Sequence, residues 1–208
     1  MLDFLASTLV TLLVTLDPPG LAPIFLSVTR GMTAAQRRAV AVRACLIAFG
    51  IMAFFGFGGD ALLAALGIGL PAFRIAGGLL LFWIAFEMVF ELRTARKAET
   101  AETAITKDHI HNVAAFPLAI PLLAGPGAIT ATILLAGRAA GDPWKLGILL
   151  ATVAAGLLSC LVVFFLAQPI SRLLGTTGNI VLTRLLGVIL AALAVQFVID
   201  GALAIARG

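Results

Sequence analysis

Enzymatic equipment is sparse in this chain of 208 residues. It has two histidines and two cysteines, and HExxH, GxSxG and Walker A signatures are missing from it. The stretch GFGGD, Gly56–Asp60, puts Phe57 where an intramembrane aspartyl GxGD motif needs its first glycine. A carboxylate dyad needs a partner acid that is not evident here. No enzyme is therefore expected, and ATP-driven transport would need a separate subunit. His109 and His111 find no third or fourth ligand at metal-site spacing, so they read as a surface pair and no metal is expected. Cys45 and Cys160 both fall in apolar runs, which fits small-residue packing rather than a disulfide framework. The formal charge of +4 is not gathered into a basic patch, so no nucleic-acid partner is expected.

What the chain has in abundance is apolar surface. It is 62% hydrophobic with a mean hydropathy of +1.14, more than a soluble core of this size needs, so membrane lipid is the expected solvent. Spanning takes roughly 20 apolar residues. Six windows qualify, at 4–28, 39–59, 69–90, 113–137, 146–168 and 181–203. The first has no basic stretch before it and runs too long for a cleaved signal. The expected fold is an all-α membrane protein, one transmembrane domain over 1–208. The loops 29–38, 92–112 and 169–180 hold Arg30, Arg37, Arg38, Arg93, Arg96, Lys97, Lys107 and Arg172, whereas the opposite face holds Arg138, Lys145 and Arg207. That asymmetry predicts the first group in the cytoplasm and both termini outside.

An internal repeat is legible. Pro19-Gly20 recurs as Pro126-Gly127, Asp60 before Gly67 as Gln168 before Gly175, Arg74 before Gly77 as Arg184 before Gly187, and Arg30 as Arg138, at offsets of 107 to 110. The halves are 1–107 and 108–208, with 92–112 as the linker. Three spans per half is an odd number, so the second half enters the membrane in the opposite sense. Inverted repeats of this kind recur in secondary transporters, which bind substrate at mid-membrane between discontinuous helices.

The first and fourth spans carry the breakers. Asp17-Pro18-Pro19-Gly20 and Ala124-Gly125-Pro126-Gly127 each lie near the middle of an apolar run, with about ten residues, ~15 Å of helix, after the break. Unwound backbone at that depth must face protein or a wet cavity. The second half-helices, from Leu21 and from Ala128, would offer amides to an anion, and the carbonyls ending the first half-helices would accept from a cation. Both ends together suit a zwitterion, hence an amino acid. Asp17 has no acidic counterpart, since Ala124 stands there in the other half. It reads as a holder of the substrate ammonium, as a carrier of a coupling proton, or as an Asx cap on the broken helix. Thr15, Thr130 and Thr132 offer hydroxyls, or bond back to their own helices.

Three stretches carry a family resemblance: LDPPGLAPIFLSVT, GDALLAALGIGLPAFRIAGGLLLFWIAFEMV and FPLAIPLLAGPGAIT. The chain resembles the MarC family of six-span inner-membrane proteins over nearly its whole length. The resemblance implies a bacterial inner membrane and carriage of small neutral amino acids such as glycine and alanine. It implies a site formed by the two Pro-Gly breaks: Thr15, Asp17, Pro18, Pro19, Gly20 and Leu21 from one half, Gly125, Pro126, Gly127, Ala128 and Thr130 from the other. No cofactor is expected beyond a coupling proton or sodium ion. A passive channel, an exporter of another small solute, and a membrane subunit without flux are the alternatives.

Other polar residues fall within or beside the spans. Asp60 is a candidate partner for Arg74, and Gln168 for Arg184, as gates that break and re-form or as static snorkelling contacts. Glu87, one residue out of register with Gln196, is a candidate for a proton path or an interfacial acid beside Glu91 and Arg93.

Overall fold

The computed structural model describes residues 1–93, 95–99, 113–139 and 141–207, with the side chain of residue 176 left aside. Among these residues every regular element is helical. Five helices are long and apolar enough to cross a membrane, or six if one bent pair counts as a single span. The chain is thus an all-helical multi-pass membrane protein. Of the expected linker 92–112 only residues 92–93 and 95–99 are described, and Lys107, His109 and His111 lie outside the described residues.

Helix α1 (Leu2–Leu16) stops because Asp17 adopts a left-handed conformation, φ 54° and ψ 62°. Helix α2 (Pro18–Val28) starts at once, and Pro18 suits its first position because the missing N–H would have no partner there. At ~1.5 Å per residue the two pieces are ~22 and ~16 Å long, so Asp17 sits well inside the span.

Helix α3 (Ala34–Ala65) begins five residues before the expected apolar window. A capping box sets that start: Gln36 N donates to the Thr33 hydroxyl while the Gln36 side chain accepts from the Thr33 N–H. Arg37 and Arg38, expected in a loop, therefore belong to its first turns. Helix α4 (Leu70–Val89) is followed by a short helix, α5, seen at residues 92–93 and 95–99.

The segment Ala114–Leu123 is wound irregularly. Pro117 and Pro121 interrupt it, and the residues before them, Phe116 and Ile120, are extended, as a following proline demands. Helix α6 (Pro126–Ala139) leaves this segment at a bend of 57°. Helix α7 (Pro143–Phe165) is capped by Asp142, which accepts from the amides of Trp144 and Lys145. Helix α8 (Ala167–Arg207) takes in the whole of the expected loop 169–180, with a kink at Gly175 (φ 60°) where two helical stretches meet.

The two halves interlock. The α1–α2 span packs on α7, the Ala114–Leu123 and α6 segments pack on α3, and α4 packs along α8. Within lipid such packing rests on close backbone approach rather than on hydrophobic transfer. A Cβ placed on Gly78 of α4 would lie 2.7 Å from the Ala194 carbonyl oxygen of α8, and one on Gly187 of α8 would lie 2.8 Å from Met88 of α4.

Candidate functional site

Asp17 is 1% exposed, and its surroundings follow from the break. Its carboxylate turns forward over the first turn of α2 and accepts from Gly20 N at 3.3 Å, which makes it the helix cap. A side chain at position 20 would collide with that carboxylate. The Thr183 hydroxyl of α8 donates to it at 3.4 Å. An uncompensated buried carboxylate costs several kcal/mol. Here the compensating charge comes from α5: Lys97 Nζ stands 4.0 Å from Asp17 Oδ2.

Helix α5 brings three cations to the break. Arg93, Arg96 and Lys97 follow the i, i+3, i+4 spacing that shares one helix face. Arg93 is 7% exposed and donates to the Thr15 carbonyl at 2.6 Å, with a second contact to Met88 Sδ at 2.8 Å. That carbonyl belongs to the last turn of α1, among the acceptors a helix end leaves without an internal partner. Arg96 pairs with the buried Glu87 at 2.7 Å, and Trp83 Nε1 donates to the same Glu87 oxygen at 3.1 Å. Lys97 Nζ is shielded from solvent and makes no hydrogen bond. Burial, and after it the charge of Arg93, pushes the Lys97 ammonium down to about 7. Burial likewise lowers Arg93.

The second interruption faces the same place. A cavity of about 240 Å³ is walled by Thr15 and Ile84, by Arg93, Arg96 and Lys97, and by the Pro121–Ala128 stretch. The backbone approach is close: a Cβ on Gly127 would collide with Ile84 Cδ1 and lie 3.5 Å from Thr15 Cγ2. A wider cavity of about 400 Å³ lies beyond Thr183, with Pro19, Pro23, Glu91 and Asn179 in its wall.

The structure thus brings Thr15, Gly125, Pro126, Gly127 and Ala128 together in one cavity, with Asp17 one ion pair away. Pro18, Pro19, Gly20 and Leu21 form the first turn of α2, where Pro19 faces the wider cavity. The Thr15 hydroxyl bonds back to the Thr11 carbonyl at 2.6 Å and Thr132 to Ala128 at 2.7 Å, so both are committed to their own helices. Thr130 is buried with its methyl against Gly77.

The four polar candidates outside the breaks pair differently from expectation. No ion pair joins Asp60 to Arg74: Asp60 is exposed, and Arg74 packs its Cβ against Gly201. Arg184 meets Glu91 of the α4–α5 turn at 3.2 Å, whereas Gln168 lines a separate groove with Arg37 and Arg38. Glu87 is bound to Arg96. A further pair joins α6 to α8, Arg138 to Asp200 at 2.6 Å, with Arg138 also 4.4 Å over the Phe197 ring. Among the described residues no three His, Cys, Asp or Glu side chains gather as a metal site requires.

Sequence reasoning missed Arg93, Arg96 and Lys97 as site residues. Their helical spacing was visible, but it followed a span and read as a charged linker.

Comparison with known proteins agrees that the chain is an integral membrane protein. The family described as "MarC family integral membrane protein" matches residues 2–206. The chain belongs to the MarC family. It is similar to a UPF0056 membrane protein of Aquifex aeolicus, 38% identical over 92% of this chain and 88% of that protein. It is also similar to one of Archaeoglobus fulgidus, 38% identical over 96% and 92%. The UPF0056 membrane protein YhcE of Escherichia coli is 36% identical over 89% of this chain and 85% of its own length. No solved structure matches the chain.

Proposed function

We propose that this protein is a secondary transporter of small neutral amino acids, working by alternating access and driven by a coupled proton or sodium ion. The observation that carries the reading is the shared cavity: residues from both Pro-Gly interruptions, Thr15 on one side and Pro126-Gly127 on the other, wall a space of about 240 Å³ beside the buried Asp17. At a liquid share of about 30 Å³ per water, that space suits a solute of a few heavy atoms. A free helix N-terminus and a buried acid beside it offer complementary partners to a zwitterion.

An inverted repeat with mid-membrane breaks underlies this reading, and the packing supports it. The first span of one half pairs with the second span of the other, in both directions, and the third spans pair with each other. Gly78 meets Val198 while Gly187 meets Met88. Adding the 110-residue offset carries one contact to within a residue of the other.

In this reading the membrane is a bacterial inner membrane and both termini face outward, so α5 closes the cavity from the cytoplasm. The Arg184–Glu91 pair ties α5's end of the bundle to α8, and Arg138–Asp200 closes the opposite end. The wider cavity past Thr183 is then the cytoplasmic vestibule. Opening one end while the other stays paired is the switch that alternating access requires.

Counterflow tests the reading. Proteoliposomes preloaded with unlabelled alanine should accumulate labelled alanine transiently, as an exchanging carrier does. Flux that ignores the preload would mark a channel, and absence of flux for alanine and glycine would overturn the substrate assignment.

A further inference from the structure

We propose that Arg93 and Lys97 of α5, together with the first amides of α6, form a carboxylate subsite within the cavity walled by both interruptions. The proposal rests on reading that cavity as the substrate site, and it names the group by which substrate is held and the element that holds it.

The two helix starts differ. At α2 the Asp17 carboxylate accepts from Gly20 N and fills the site for an anion from within the chain. At α6 the repeat-related position is Ala124, which has no acceptor to give. Gly125, whose carbonyl takes the first intrahelical bond from Ile129 N, stands at the cap position and has no side chain. Gly127 and Ala128 fall among the first amides of the helix, which lack an intrahelical acceptor, and both line the cavity. One helix start brings its own carboxylate; the other lacks one.

The second observation is independent of the helix. Lys97 Nζ is shielded from solvent and makes no hydrogen bond. At 4.0 Å from Asp17 Oδ2 it is close enough for attraction but beyond hydrogen-bonding reach, so its three N–H donors are uncommitted. Arg93 is equally enclosed, and its two contacts leave further donors of its five. Among the described residues the charges at the cavity are Asp17 and Glu87 against Arg93, Arg96 and the protonated form of Lys97, one positive in excess. A single carboxylate balances the set and supplies acceptors to the ammonium, the guanidinium and the α6 amides. With Lys97 drawn toward it, Asp17 is released to accept the substrate's ammonium.

Calorimetric titration of the full protein in lipid nanodiscs tests this with glycine, acetate and glycinamide, each variant first checked for a cooperative melt. Glycine and acetate should bind, and glycinamide, lacking the carboxylate, at least tenfold more weakly than glycine. Lys97→Gln should weaken glycine and acetate at least tenfold, and Lys97→Arg should restore most of the loss. Because Arg93 also holds the Thr15 carbonyl, Arg93→Gln counts only where its melt is preserved. Equal binding of glycine and glycinamide, or an unchanged Lys97→Gln, would overturn the subsite even with transport intact. Acetate binding that depends on Lys97 without glycine binding would keep the subsite and sink the amino-acid reading. No carboxylate binding by well-folded protein would overturn the subsite.

Discussion

Arg93 of α5 reaches the Thr15 carbonyl of α1 across 2.6 Å. This bond ties the segment after the third span to the interruption of the first, 78 residues earlier. A helix end in a membrane leaves carbonyls that must find donors, and here a guanidinium supplies one. The consequence is that the break is closed by an element lying outside the candidate spans.

Asp17 acts as a cap and as a charge, and two substitutions separate these roles. Asn caps nearly as well and tolerates the left-handed conformation, whereas Ala does neither. Asp17→Asn keeps the cap and gives up only the attraction to Lys97, so it should melt below the parent but above Asp17→Ala, which should lose a further ~1–3 kcal/mol by the combined cap and backbone terms. Equal melts for the two would show that the cap contributes nothing.

Gly127 is set by contact rather than by backbone conformation. A Cβ there meets Ile84 Cδ1 at the cavity wall, so Gly127→Ala should cost about 1–3 kcal/mol through overpacking. Ile84→Val removes the opposing methyl, and the double variant should regain most of that loss. A double-mutant cycle with zero coupling would contradict the stated contact.

The Arg138–Asp200 pair is partly exposed, with side chains 25% and 31% accessible, so its coupling should be modest, about 0.5–1 kcal/mol. Its kinetic role is the sharper test. Arg138→Gln and Asp200→Asn should each change the rate of counterflow, and the charge reversal Arg138→Asp with Asp200→Arg should restore part of it. Counterflow indifferent to all three would remove this pair from the gate.

Acidity enters through Lys97, held at about 7 by burial and by Arg93. The titratable groups that bear on it are Arg93 and Arg96 of its own helix, Asp17 at the α1–α2 junction and the thiol of Cys160 of α7. The protonated form attracts a carboxylate and the neutral form does not. Glycine affinity should therefore be highest below pH 7 and fall between pH 7 and 8.5, by up to about tenfold per unit. For folding the sign is separate: the native state binds fewer protons than the unfolded chain between pH 7 and 10.5, so stability rises with pH across that window. Lys97→Gln should flatten both trends, as titrations and melts across pH would report.

Much of the helical fold was legible because lipid demands long apolar runs. The window 69–90 matches α4 (Leu70–Val89) almost to the residue. The window 39–59 fell short of α3 because Arg37 and Arg38 read as loop and Asp60 as the outer end of the span, although Thr33 and Gln36 held the capping signature. In the fourth window the legible breaker was Pro126-Gly127. The irregular winding begins at Ala114, twelve residues earlier, and each of Pro117 and Pro121 extends the residue before it. Asp17, Thr15 and Gly127 stood out as breakers or as costly groups in an apolar run. Arg93 and Lys97 did not, since cations just after a span ordinarily face water. Their burial depends on α5 folding back against the break, a tertiary contact that local pattern does not encode.

The central claim is coupled transport through a site that contains Asp17. Uptake of labelled glycine and alanine into proteoliposomes, with and without an imposed proton or sodium gradient, measures it most directly when Asp17→Asn is run beside the parent. The account predicts accumulation above equilibrium under one of the gradients, abolished in Asp17→Asn although counterflow of the folded variant persists. Uphill accumulation that survives in Asp17→Asn, or none in the parent under either gradient, would contradict it.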